Sequence, residues 1–175
     1  MKRLHSALVL LLLVTAPAQL SGSAWSEPLD TIQQVGAEGA GNAEAAAAWR
    51  ELTSQGPEIV VPVLEAMEKA GPLARNWMRT AVETVFDRGL DDGTELPAAE
   101  LKAFVTNRDH DPLARHLAFG LFQKVEPESA SALVSSMIDD PSPPLRRNAV
   151  AQLIDQGREL LATNKTASAA LLSDA

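Results

Sequence analysis

Pro72-Leu73-Ala74-Arg75 returns as Pro112-Leu113-Ala114-Arg115, and a variant, Pro144-Leu145-Arg146-Arg147, follows. Each copy opens a stretch whose apolar residues fall at helical spacing, and a turn precedes each copy. The separations of Arg75, Arg115 and Arg146 lie in the roughly 20–50-residue period of proteins that stack one small unit on the next. The phrase therefore predicts an array of helical hairpins rather than a fold with a single enclosed core.

Working outward from the phrase, the prolines act as punctuation. Proline suits the first helical position, where its missing N–H would be unpaired in any case. Pro57, Pro72, Pro97, Pro112, Pro127 and one of Pro143 or Pro144 all stand before an apolar stripe. Asn42 is expected to cap the first regular helix, with Ala45, Ala48, Trp49 and Leu52 on its inner face. The next stripe is Ile59, Val60, Val63, Leu64 and Met67, with Pro62 placed in the opening turn because it cannot donate further in. Trp77, Met78, Ala81, Val82, Val85 and Phe86 follow, then a loop over 89–94. Leu101, Phe104 and Val105 make a short stripe. Beyond it come Leu113, Leu117, Ala118, Leu121, Phe122 and Val125, then Ala130, Leu133, Val134, Met137 and Ile138. Leu145, Ala149, Val150, Leu153 and Ile154 form the last strong stripe. Alternating β-branched runs are missing, so the expected class is all-α.

The N-terminus has another character. Lys2 and Arg3 precede an apolar run, Ala7 to Val14, and small residues cluster at Ala16, Ala18, Gly22, Ser23 and Ala24. This is the layout of a secretory signal peptide over residues 1–24. Cleavage after Ala18 and after Ala24 both satisfy the small-residue rule. The apolar run is shorter than the roughly 20 residues a bilayer crossing needs, so no membrane span is expected after cleavage, and the protein is expected to be secreted or periplasmic. Residues 25–41, with three glycines, read as a flexible lead with at most one short turn of helix around Leu29 to Val35. Residues 162–175 read as a tail, either the start of a further hairpin cut short or the edge of a longer protein.

The chain has no cysteine and a formal net charge of −8. Thiolate metal sites and thiol-attached haem are thereby excluded, and the charge argues against nucleic acid and anionic lipid as partners. Candidate chemistry is thin. Asp109-His110-Asp111 holds the only local set of metal-ligand residue types, but a helix-capping turn accounts for it, whereas a metal needs three or four converging ligands. Asp91 to Glu95 is acidic without the ligand spacing of a calcium loop. His116 reads as a surface histidine, and Trp49 and Trp77 as core. No phosphate-binding or nucleophile motif is present, so no catalytic residue, cofactor or metal is assigned.

Asp140-Pro141-Ser142-Pro143-Pro144-Leu145-Arg146-Arg147-Asn148-Ala149 resembles the signature of HEAT-repeat proteins: Asp-Pro, three residues, an aliphatic, Arg, two residues and Ala. Asp109, Arg115 and Ala118 keep part of it, and Arg75 keeps less. The resemblance covers residues 42–161, and with the leader the whole is similar to exported bacterial members. It implies a short right-handed α-solenoid of stacked hairpins, in which Arg75, Asp109, Arg115, Asp140 and Arg146 tie adjacent repeats together. The function expected is a non-catalytic protein–protein interaction or scaffolding module of the cell envelope, with a protein partner. The surface of the second helices, including Glu65, Glu68, Lys102 and Glu128, is the expected contact face. The alternative is an accessory region that positions the active domain of a larger secreted enzyme or substrate-binding protein.

Overall fold

The computed structural model describes residues 24–174, and every described element is helical. Residues 1–23 of the expected leader, with its cleavage position after Ala18, lie outside the described residues. No helix among the described residues is long and apolar enough to cross a membrane. In chain order the helices are α1 (Ser26–Gln33), α2 (Asn42–Thr53), α3 (Val60–Met67), α4 (Pro72–Asp91), α5 (Ala98–Thr106), α6 (Pro112–Val125), α7 (Pro127–Leu133), α8 (Pro143–Leu161) and α9 (Lys165–Asp174). Tight 3-10 turns at Pro57–Ile59 and Val134–Met137 lead into α3 and follow α7.

Proline opens the elements as its missing N–H requires. Pro72, Pro112, Pro127 and Pro143 are first residues of helices, and Pro62 is the third residue of α3. Asn42 behaves differently from expectation: it is already helical, and Gly41 stands at the cap with φ +75°. That left-handed turn is easy only for a residue without a Cβ, and it reverses the chain beside the carbonyl of Gln34. The loop expected from residue 89 begins later. Gly89 lies within α4, where a Cβ would come within 3.0 Å of both Leu96 and Pro57, so the bare backbone lets that connection pack on the helix.

Residues 25–41 are not a uniformly flexible lead. They begin with α1, whose Leu29 and Ile32 are 7% and 0% exposed, and α1 packs on α2 and α4. The helix starts earlier than the short turn expected around Leu29 to Val35 and ends at Gln33, because eight residues offer too few turns for their period to fix the bounds.

One core runs through the described residues, from Ile32, Leu52 and Leu64 through Met78, Phe86 and Leu101 to Phe119, Phe122 and Leu145. Two rows of packing build it. α2 packs on α4, α4 on α6 and α6 on α8, while α3 lies along α4 and α5 along α6. The pairings at α3–α4 and α5–α6 thus run across the turns that carry the repeated phrase, and α1–α2 and α8–α9 pack as closely at the two ends of the chain. The phrase sits in the middle of those hairpins, not at their outer edge.

In the first two copies of the phrase the leucine does not enter the core. Leu73 and Leu113 are 51% and 50% exposed, whereas Ala74, Ala114 and Leu145 are buried. The second residue of each helix faces outward and the third faces in. Measured from the start of its helix, the third copy is Pro143-Pro144-Leu145-Arg146, so Arg146 stands where Arg75 and Arg115 stand.

Candidate functional site

The arginines at the fourth position of α4, α6 and α8 do the same local work. Arg75 Nε donates to the carbonyl of Met67 at 3.1 Å, and Arg115 Nε donates to that of Val105 at 2.9 Å. Arg146 donates to the carbonyl of Asp140. Each arginine thereby ties down the backbone that leads into its own helix. Two of them also reach forward to a carboxylate. Arg75 pairs with Asp111 at 3.4 Å. Arg115 holds both oxygens of Asp140, at 2.8 and 2.7 Å, in a forked pair with each side chain 2% exposed.

Asp109 takes no part in this ladder. It is exposed, and its backbone N–H is held by Asn107 Oδ1. Asp111 stands in its place because one carboxylate there serves two purposes. Its Oδ1 accepts from the N–H groups of Leu113 and Ala114, capping α6, while its Oδ2 faces Arg75. Sequence alignment on the Asp-Pro signature misses this, since the acid two residues further on caps the helix and also reaches the arginine.

Burial raises the Asp140 carboxyl's pKa. The hydrogen bonds from Arg115 and the Ser142 N–H, with the charges of Arg115 and Arg108, outweigh it and hold the pKa below the ordinary aspartate value. The folded state therefore binds fewer protons than the unfolded chain at acidic pH, so stability rises with pH there. The contribution of Asp140 is full above the unfolded pKa of about 4 and is lost as pH falls through and below it. Urea titrations between pH 6 and 3 should show this loss, and Asp140→Asn should flatten the slope.

The turn Asn107–Asp111 also packs on α5 and reaches the end of α3. The His110 ring stacks on Phe104, with centroids 3.9 Å apart and planes 6° from parallel. Its Nδ1 lies 2.5 Å from Glu68 Oε1 on the helical extension of α3. His110, Asp109 and Asp111 point to three different surroundings, and among the described residues no three His, Asp or Glu side chains converge as metal ligands would. His116 is half-buried, not out in solvent. Its Nε2 lies 3.2 Å from Asn148 Nδ2 of α8, and burial pushes its pKa below the usual histidine value.

Beside His110 opens a cleft of about 510 Å³ between α1 and α3. Trp25, Leu29 and Pro62 give it apolar walls, Asp30, Glu65 and Glu68 bring carboxylates to it, and Lys69 brings one positive charge. Two of the residues expected on a contact face, Glu65 and Glu68, are thus brought together. Lys102 on α5 and Glu128 on α7 are exposed but do not line the cleft. Trp25, Asp30 and His110 were not legible as its members, because α1 and the turn before α6 meet α3 only through the fold. Comparison with protein families, curated proteins and solved structures finds no match for the chain.

Proposed function

We propose that this chain is a non-catalytic protein-binding scaffold of the cell envelope, a short right-handed α-solenoid of HEAT-like hairpins exported by its leader to the periplasm or beyond. The observation that supports it most is the α1–α3 cleft. An aromatic rim with carboxylates suits a basic side chain of a partner protein, whose aliphatic stem would lie along Trp25 and Pro62 while its charge meets Asp30 and Glu65, Glu68 being held by His110. The net charge of −8 adds attraction for such a partner at long range. The arginine ladder supports the solenoid reading, since the same contact recurs from one hairpin to the next.

A photo-crosslinking amino acid at Glu65, compared with one at the exposed Gln123 of α6, tests the reading in envelope extract. A discrete adduct from position 65, absent from position 123 and reduced by Asp30→Lys, is the expected result. Identical patterns from the two positions would overturn it.

A further inference from the structure

His110 stands where the α1–α3 cleft meets the turn before α6, and it is the histidine that lines the cleft. Histidine is the side-chain type whose charge ordinarily changes between about pH 5 and 8. The ring is fixed in place. It stacks on Phe104 of α5 with centroids 3.9 Å apart. The turn that carries it is pinned on both sides. Asn107 Oδ1 accepts from the Asp109 N–H at 3.1 Å, and Asp111 caps α6 while facing Arg75 of α4 at 3.4 Å.

The tautomer follows from the partner. Glu68 Oε1 lies 2.5 Å from Nδ1, and a carboxylate only accepts, so the proton of the neutral ring sits on Nδ1. Nε2 then carries the lone pair, and no hydrogen bond holds it among the described residues. Proton uptake therefore occurs at Nε2 and leaves the Glu68 contact in place. What changes is charge. With the ring neutral, the His110–Glu68 pair carries one negative charge; with the ring protonated, it carries none. The other charged groups around the cleft are Asp30 of α1, Glu65 of α3 and Lys69 just beyond it. Phe104 brings no charge from α5, and Arg75 of α4 is occupied by Asp111. On the turn itself Asp109 is exposed, while Arg108 turns to Asp139 and Asp140. Carboxylates and ammonium groups ordinarily keep their charges between about pH 5.5 and 8. In that window His110 resets the charge balance of the cleft.

We infer that His110 gates the cleft by pH: with its ring neutral the cleft holds a basic side chain of a partner protein, and protonation at Nε2 releases it. The inference rests on the reading of the cleft as a site for such a side chain. An imidazolium in the wall repels the incoming cation and cancels the charge of Glu68. It does so in a concave, partly apolar recess, where a unit charge counts for more than in open water. The Phe104 stack matters here, because a free side chain would swing its new charge out into solvent. The coupling runs both ways: a bound cation disfavours the imidazolium, so binding expels a proton when the ring is charged beforehand.

The probe is an acetylated tetra-arginine amide, titrated into the 15N-labelled full chain. The indole N–H signal of Trp25, identified by its loss in Trp25→Phe, reads occupancy of the cleft. The affinity should be about three- to tenfold weaker at pH 5.5 than at pH 8. His110→Gln keeps an N–H for Glu68 and never ionises, so it should bind equally at both pH values, at the strength the unaltered chain shows at pH 8. His116→Gln, at a position outside the cleft, should leave the pH dependence intact. In the unaltered chain the His110 ring signals should titrate at lower pH once the peptide is bound, a measurement that needs no variant to fold. Equal affinity of the unaltered chain at both pH values overturns the inference and leaves the acidic cleft standing. So does a pH dependence that persists in His110→Gln, or a His110 titration that the peptide does not move. No response of Trp25 at either pH overturns the reading of the cleft, and the inference with it.

Discussion

Arg115→Ala is expected to lower the stability of the fold by about 3–5 kcal/mol, the range for breaking a buried ion pair from one side. The reason is geometric. Arg115 is 1% exposed and Asp140 2% exposed, and the guanidinium makes two bonds to the carboxylate and two to the carbonyl of Val105. Its removal leaves a buried negative charge with the Ser142 N–H at 2.8 Å and Arg108 at 3.8 Å as its remaining partners. Arg115→Lys should recover little, because an ammonium cannot serve a carbonyl and both carboxylate oxygens in one plane. The paired change Arg115→Met with Asp140→Leu should cost less than the single alanine, since it leaves no charge stranded. Arg146→Ala should cost about 1–3 kcal/mol at most, having one carbonyl and no carboxylate to lose. Urea denaturation of the four variants gives this order directly. A loss below about 1 kcal/mol for Arg115→Ala would mean that the pair does not hold α6 to the turn before α8.

Phe86→Ala is expected to cost a similar amount, about 3–5 kcal/mol, by emptying a cavity at the centre of the molecule. Phe86 is fully buried in α4, the helix that touches α1, α2, α3 and α6. For a domain of this size that loss corresponds to a melting temperature about 6–20 °C lower, against a total stability of about 5–15 kcal/mol. Phe86→Leu keeps much of the volume and should lose less. Calorimetric melting checks both. Because α4 holds α1, and α1 forms one wall of the acidic cleft, Phe86→Ala should also weaken the crosslink from Glu65 while the chain is still folded. That link between core packing and partner contact separates a cleft built by the fold from a chance grouping of surface acids.

The helices were legible in the sequence because their signals are local. Proline at Pro72, Pro112 and Pro143 fixes a start, and apolar residues at helical spacing, such as Met78, Val82, Val85 and Phe86, fix an inner face. Boundaries failed where the deciding contact came from elsewhere in the chain. Gly89 looks like a loop residue until Leu96 and Pro57 are seen against it, and Asn42 looks like a cap until Gly41 is seen to turn the chain. The candidate site was legible only in pieces. Glu65 and Glu68 stand on one helical face, but nothing near Glu68 in sequence announces His110, and nothing in Trp25 announces a cleft.

The repeated Pro-Leu-Ala-Arg phrase marks the same division. By itself the sequence determined that the protein is all-α, with helices opened by prolines and an arginine at a constant place after each turn, because helix starts and amphipathic periods depend on neighbouring residues. Only the tertiary structure decided that Leu73 and Leu113 face outward while the third residue of each helix, Leu145 among them, faces in. It also decided that Asp111 rather than Asp109 meets Arg75, and that Arg115 is sealed while Arg146 stays open. Those outcomes depend on which helices pack against one another and on the direction each side chain takes from its turn. A carboxylate two residues away along the chain can be the one that arrives within 3.4 Å.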